Sequence, residues 1–405
     1  MAISLSKKGR LAVKEQASSW GTSETSFSST DYIEAEGSFI PTLNRETLAV
    51  DTYRPDNTKP TRLAGSKAGT TFTLRIPMHG VSATAPTTDP TIHPDATILK
   101  AVLGGAGADG YNTGVAAGST TSLVNFTNGQ GDTAWAGFAQ LAAGATTNVI
   151  WWAKTIDTGA TPDTVTPAVT TLAEAPAAGT AYGSYVLWLA TTQATPLTID
   201  WLGTDSTAHI RYYDALPSKV TITLAAKQQP MMEVEFYALN WTNVGANGAP
   251  ADYAYTYPMI PAFMGTNGAR ALFSGGSSIC PKTVVIELTQ ALSEAECASA
   301  SQGVDRLICG DRSVMATVTV NPSDLSATPW TDAPGATKNA MQIDVCNTPG
   351  RALTFLMPAP QVASQPSPVD NGGLIGLTSV YEPLTYSGDT GSTAPADTAF
   401  RIAFL

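Results

Sequence analysis

The sequence predicts a mainly β protein, and three observations carry that reading. Short runs such as "TTFTLRI", "NVIWWAK", "YVLWLATT", "KVTITLAA" and "VMATVTV" are rich in β-branched or aromatic residues or alternate with period two. Turn signals rich in Gly, Pro, Ser and Thr separate them, and helical periodicity is scarce. At 405 residues, 43% hydrophobic and 14% charged, the chain is long enough for two domains or one large β domain, with ample apolar content for a core.

Taken along the chain, the first extended segment is "DYIEAEGSFI", followed by a long polar loop over residues 42–67 and the alternating strand "TTFTLRI". "PDATILKAVLGG" reads as a helix: Asp95 stands near its start, Ile98, Leu99, Val102 and Leu103 recur at helical spacing, and Gly104 stops it. From about 105 to 196 the composition shifts to Gly, Ala and Thr, with strand-like runs around Trp151 and Trp188. That stretch reads as an inserted small β module on an outer surface, dispensable for the main fold. "HIRYYDALPSKVTITLAAKQQPMMEVEFYAL" then supplies two extended runs about a polar break. In the second run Val234, Phe236 and Ala238 alternate with Glu233, Glu235 and Tyr237, which puts two acids on one face of a strand. "LSEAECASA" reads as a second short helix, with Ser293 as cap and Glu296 three residues on.

Without the 105–196 stretch the two halves echo each other. "DYIEAEGSFI" and "RLAGSKAGTTFTLRI" are answered by "KTVVIELTQ" and "RLICGDRSVMATVTV"; "DALPSKVTITL" is answered by "CNTPGRALTFL", and "VEFYAL" by "TSVYEPL". This suggests two tandem domains, 1–245 (with the insertion at about 105–196) and 255–405, their boundary falling between residues 243 and 257.

Composition and motifs narrow the function. Thirty-three acids against 22 Lys and Arg give a net charge of −11, and no basic cluster forms the footprint of a protein that grips phosphates. "MAISLSKKGRLAVKEQ" has bases but no apolar stretch after them, and no run approaches the roughly 18 apolar residues of a membrane span. A soluble chain kept in the cytoplasm is expected, so "NFT" at Asn125 and "NWT" at Asn240 should carry no sugar. Cys280, Cys297, Cys309 and Cys346 include no C-x-x-C pair and read as buried free thiols. "GAGADG" at 105–110 follows a helix instead of a strand and reads as a flexible loop. His79, His93 and His209 are not spaced like metal ligands, and His93 beside Asp95 reads as a solvent-exposed or turn residue. No catalytic residue, cofactor or metal site is expected. Glu233 and Glu235, roughly 7 Å apart if both lie on one strand face, could be imagined as a glycosidase pair, but a solvated face explains them more simply.

The arrangement of "SWGTSE", the loop "TLNRETLAVDTYRPDNTKPTRLAGSK", "TTFTLRIPMHG", the helix "PDATILKAVLGG", "ALPSKVTITLAAKQQPMMEVEFYAL" and the terminal "TAFRIAFL" resembles the tail tube (major tail) proteins of long-tailed bacteriophages. The resemblance implies a β-barrel or sandwich flanked by a helix, its inner sheets joining between subunits into stacked rings around a channel for DNA. It implies a structural virion protein, made in the host bacterial cytoplasm, that partners itself and other tail proteins. The loop 42–67, with Arg45, Arg54, Lys59 and Arg62, corresponds to the family's inter-ring loop, and Glu233 and Glu235 become candidate lumen-facing acids. A duplicated domain implies rings of three chains with pseudo-sixfold symmetry; a single enlarged domain would need six. Other virion components, such as capsid or decoration proteins, and glycan-binding or glycan-cleaving β proteins are the alternatives.

Overall fold

The computed structural model describes residues 10–17, 20–36, 45–49, 62–67, 69–81, 93–104, 107–109, 114–127, 136–169, 171–180, 184–203, 209–245, 257–273, 277–297, 300, 303–320, 339–364, 366–370, 375–389 and 396–405. Its strands in the first half are β1 (Arg10–Glu15), β2 (Tyr32–Ile33), β3 (Arg45–Ala49), β4 (Arg62–Lys67), β5 (Thr70–Pro77) and β6 (Gly107–Asp109). Then come β7 (Gly114–Val115), β8 (Val124–Phe126), β9 (Ala139–Ala143), β10 (Asn148–Asp157), β11 (Asp163–Pro167), β12 (Gly179–Thr180) and β13 (Tyr185–Trp188). β14 (Leu197–Leu202), β15 (His209–Ala225) and β16 (Met231–Asn243) complete that half. The second half contains β17 (Arg270–Phe273), β18 (Ser277–Ile279), β19 (Pro281–Glu296), β20 (Val304–Val320) and β21 (Met341–Cys346). It ends with β22 (Leu353–Met357), β23 (Pro360–Val362), β24 (Ser367–Asp370), β25 (Ile375–Pro383) and β26 (Arg401–Phe404).

The protein is mainly β, as expected, with a nearly closed, barrel-like sheet and one short α-helix among the described residues. That helix, α1 (Pro94–Leu103), lies where the sequence puts it. Pro94 takes the first turn, Ile98, Leu99, Val102 and Leu103 are buried, and Gly104 caps it at φ 112°, a left-handed conformation in which a side chain is strained.

The 11-stranded sheet contains one long antiparallel array, in the order β5, β16, β15, β19, β20, β25, with β23 and β24 side by side along the far edge of β25. Glu36 bridges Arg75 antiparallel on the free side of β5. Every step is antiparallel, and the order in which the chain enters the array repeats after four positions: first, second, fourth, third strand in each half. The Glu36 segment and β19 then occupy equivalent places, as do β5 and β20, β16 and β25, and β15 and the β23/β24 edge. The echo between "RLAGSKAGTTFTLRI" and "RLICGDRSVMATVTV" falls on such equivalent places. "DALPSK" and "CNTPGR" do not: Pro217 lies within β15, whereas Pro349 lies between β21 and β22 of another sheet.

β15 serves two neighbours on one edge. Its first half pairs with β14 and its second half with β19, while β16 runs along its other side. The register shifts between Pro217 and Lys219, where a residue without an N–H is tolerated. Asp214, at φ 54°, accepts bonds from Gln16 Nε2 at 3.1 Å, Gly21 N at 2.8 Å and Asn240 Nδ2 at 2.6 Å, which tie the N-terminal segment to this bend.

The seven-stranded sheet, β18-β17-β21-β22-β26-β13-β6, is buried on both faces. "MQIDVC", "LTFLM" and "RIAF" accordingly read as continuous buried runs. On one side Ala271, Phe273, Ile343, Val345 and Phe355 join the core of the main sheet and α1. On the other, Leu272, Ala352, Leu356 and Ala403 join the core of the six-stranded sheet β12-β7-β8-β11-β10-β9.

This second core corrects the expectation that residues 105–196 stand apart on an outer surface. Trp151 and Trp152 are 0% exposed. Trp152 Nε1 donates to Thr354 Oγ1 at 3.3 Å, Gln342 Nε2 donates to Ile150 O at 3.0 Å, and Asn148 and Asn347 exchange side-chain to carbonyl bonds. β6 and β13, at the ends of the stretch, are strands of the seven-stranded sheet, with β13 paired to the C-terminal β26. The excursion adds its own sheet and returns to the seven-stranded one, where β13 lies between β26 and β6 and sends Leu187 into one core and Val186 into the other, both 0% exposed.

Three further expectations change. Residues 293–296 are not helical but paired strand, Ser293 with Ile308 and Glu294 with Leu307. Long-range pairing with β20 overrides a short helix whose nucleation is costly. "GAGADG" is not all loop, since Gly107–Asp109 pairs with β13, although Gly105 and Gly110 lie outside the described residues. Of the free cysteines only Cys346 is buried; Cys297 and Cys309, partly covered, sit on or beside the projecting ends of β19 and β20, and Cys280, exposed, lies between β18 and β19 at the other end.

Candidate functional site: the open face of the central sheet

β16 places Met232, Val234, Phe236 and Ala238 in the core and turns Glu233, Glu235 and Tyr237 the other way. The same parity holds on each neighbour. Leu74 and Ile76, Val220 and Ile222, Ile286 and Leu288, and Ala316 and Val318 are buried, while their alternates face outward. The result is one broad sheet face on the core and α1, and an opposite face open to solvent.

Register decides what this open face contains. Glu233 lies between Arg75 of β5 and Thr221 of β15, and Thr221 lies next to Glu287 of β19, which lies next to Met315 of β20. Glu235 lies between Thr73 and Lys219, followed by Thr289 and Ser313. Glu382 extends the face on β25, and Glu36 stands opposite Arg75. The acids are therefore interleaved with bases: Lys219 Nζ pairs with Glu287, and Arg75 Nε lies 3.5 Å from Glu36 with both side chains more than half exposed. Such exposed pairs contribute little, about 0–1 kcal/mol. Five carboxylates, Glu36, Glu233, Glu235, Glu287 and Glu382, share the face with two bases, Arg75 and Lys219. Threonines fill much of the rest, among them Thr71, Thr73, Thr221, Thr223, Thr317 and Thr319.

Toward one end the face is partly roofed. Thr71, Ser218, Glu235, Tyr237, Leu292, Glu294 and Leu307 line an open pocket of about 310 Å³ beside the paired, projecting ends of β19 and β20. Tyr237 Oη donates to Glu294 Oε1. Burial, then this bond and the Glu294 charge, push the phenol up. Gly69 is needed there, because a Cβ would sit 2.0 Å from Tyr237 Oη.

Glu233 and Glu235 thus occupy the exposed strand face read from the sequence. Arg75, Lys219 and Glu287 were missed as members of it. Each has outward parity on its own strand, but which strands are neighbours was not readable. Of the four basic loop candidates, Arg45 and Arg62 begin β3 and β4, which pair as a two-stranded hairpin with Ala49 opposite Arg62; Arg54 and Lys59 lie outside the described residues.

The histidines need the clearest correction. His93 is not an exposed turn residue: its Nδ1 accepts from Asp95 N at 3.2 Å as the cap of α1, and it is 1% exposed. His79, distant in sequence, stacks on it, and the two share Asp95. His209 is buried as well, its Nε2 2.8 Å from Asp200 Oδ2, with Arg211 Nε on the same carboxylate at 2.7 Å.

No family model matches the chain, and no curated protein matches it. The site is read from its own geometry.

Proposed function

We propose that the chain is a ring-forming structural subunit of a phage tail tube, whose open sheet face lines a channel through which DNA passes. The observation that carries this reading is the four-strand repeat of the central array. A sheet that repeats its strand order after four positions within one chain has ends suited to repeating again between chains. The β23/β24 edge and the Glu36 segment run in opposite directions, the sense that antiparallel edge pairing requires. Among the described residues no further strand pairs with either edge; such an edge invites another chain, and head-to-tail contacts close into a ring when the rotation allows.

Two repeats per chain favour rings of three chains with six similar inner segments. The open face suits a channel for nucleic acid: its carboxylate surplus repels phosphates instead of displacing their counterions, and its threonines offer no cationic grip. In this reading the antiparallel pair of β3 and β4, which flanks residues 50–61, serves contacts between stacked rings. Electron microscopy of the concentrated protein tests the proposal. Stacked rings whose unsymmetrised top views show threefold outer features over a sixfold inner wall are expected; shells, or monomers at every concentration, overturn it.

A further inference from the structure

The end of β5, the start of α1 and the segment entering the second half meet at a buried polar cluster. His79 and His93 are each 1% exposed and Asp95 is 0% exposed. The His79 backbone N–H donates to Asp95 Oδ2 at 2.8 Å, and its ring Nδ1 lies 3.2 Å from the same oxygen. His93 Nδ1 lies 2.6 Å from Asp95 Oδ1. The imidazoles stack at 4.1 Å with 23° between planes, and Tyr257 meets His93 edge-on at 4.9 Å. Around them, Gly80 N donates to Pro258 O at 2.9 Å and Ile260 N to Met78 O at 3.0 Å. The cluster therefore sits where residues 257–260 are stitched to the first half.

These side chains are of the metal-ligating kind, their ligand atoms within 4.8 Å of one another. Both Nδ1 atoms, however, are already turned onto the Asp95 carboxylate, and the N-terminus of α1 adds positive potential. A single proton fits this geometry better than a divalent cation. Two charged rings at that separation would repel strongly in a buried site, whereas one charge is matched by one carboxylate.

We propose that His79, His93 and Asp95 form a one-proton latch: a single added proton on the His79 imidazole, paired with the Asp95 carboxylate, holds the start of α1 and residues 257–260 against the end of β5, and its loss loosens them. Apart from the N-terminus of α1, the groups acting on the stack are acidic or neutral. Burial opposes charge on His79, but the Asp95 hydrogen bond and charge, Glu34 and the Pro77 carbonyl outweigh it and raise its pKa above 6.5. Burial likewise opposes charge on Asp95, yet the two histidines hold its carboxyl far below the usual 3.8. The Tyr257 phenol, pushed up to about 12 by burial and Asp31, stays neutral. A raised imidazole contributes stability in full below its unfolded pKa and loses it as pH climbs through the folded value; a lowered carboxyl contributes above its unfolded pKa and loses it only in strong acid. The latch is thus closed between about pH 4 and 6.5 and opens above that window as His79 loses its proton.

Histidine-selective NMR of the soluble chain reads this directly. The His79 imidazole is expected to titrate with a midpoint above 6.5, and D95N to lower that midpoint. In parallel, the Tm difference between the native chain and H79Q is expected to shrink as pH rises from about 6 to 9. A His79 midpoint at or below 6.5, or Tm curves that stay parallel over that range, overturns the latch, as does one zinc or other transition metal per chain in the purified protein.

Discussion

Glu233 and Glu235 differ from Arg270 in what their charges meet, and that difference sets the outcome of changing them. The two glutamates stand on an open face, so E233Q/E235Q should alter stability by no more than about 0.5 kcal/mol and leave assembly intact, as urea titration and microscopy would show. E233K/E235K should instead turn a repelling face into a gripping one. Tubes should persist, while retention of duplex DNA rises at low salt and falls steeply as salt is added, the signature of counterion release. Equal retention by native and variant tubes would remove these residues from the channel wall. Arg270 is the opposite case. Its Nε meets Asp344 Oδ2 at 2.7 Å, and Asp344, 0% exposed, also accepts from Gln342 and Thr354. R270M leaves a buried carboxylate without its base and should cost about 3–5 kcal/mol in denaturant unfolding, with R270M/D344N recovering part of the loss.

The hairpin of β3 and β4 leads in sequence into β5, as the projecting ends of β19 and β20 lead into the body of β20. The sequence echo pairs "RLAGSK" with "RLICGDR", but the strand partner of the second was hidden behind a helix-like "LSEAECASA". Ser, Glu, Ala and Cys in that segment carry weak local preference, and pairing with β20 across the molecule outweighs it. Deleting residues 50–61 should leave circular dichroism and Tm near native values, because the paired strands that flank them remain, yet reduce tubes to single rings or short stacks. Tubes of normal length from that variant would take the hairpin out of ring stacking.

For the whole molecule, the central consequence is that residues 105–196 cannot be lifted out. Excision would remove β6 and β13 from the seven-stranded sheet and strip the cover from Leu272, Ala352, Leu356 and Ala403. Replacing the stretch with a flexible linker should therefore give aggregated protein in sedimentation assays. W152A, which empties a fully buried site, should destabilise the soluble chain by about 3–5 kcal/mol. The shared core joins the three sheets through a middle layer that neither outer layer can expose cheaply.

Periodicity along the chain determined the mainly β class, α1 and the acidic stripe of β16, since each depends on spacing within one segment: Ile98, Leu99 and Val102 at helical intervals, Glu233 and Glu235 two apart. Tertiary structure decided everything that depends on who stands next to whom. The register of β5, β15 and β19 brought Arg75, Lys219 and Glu287 into the stripe. Chain folding joined His79 to His93 and Asp95, and it made the Trp151 and Trp152 run part of a core shared with the C-terminal half. Side-chain period reports which face a residue takes, but pairing partners are chosen by hydrogen bonding and burial between segments far apart in the sequence, and no local spacing encodes that choice.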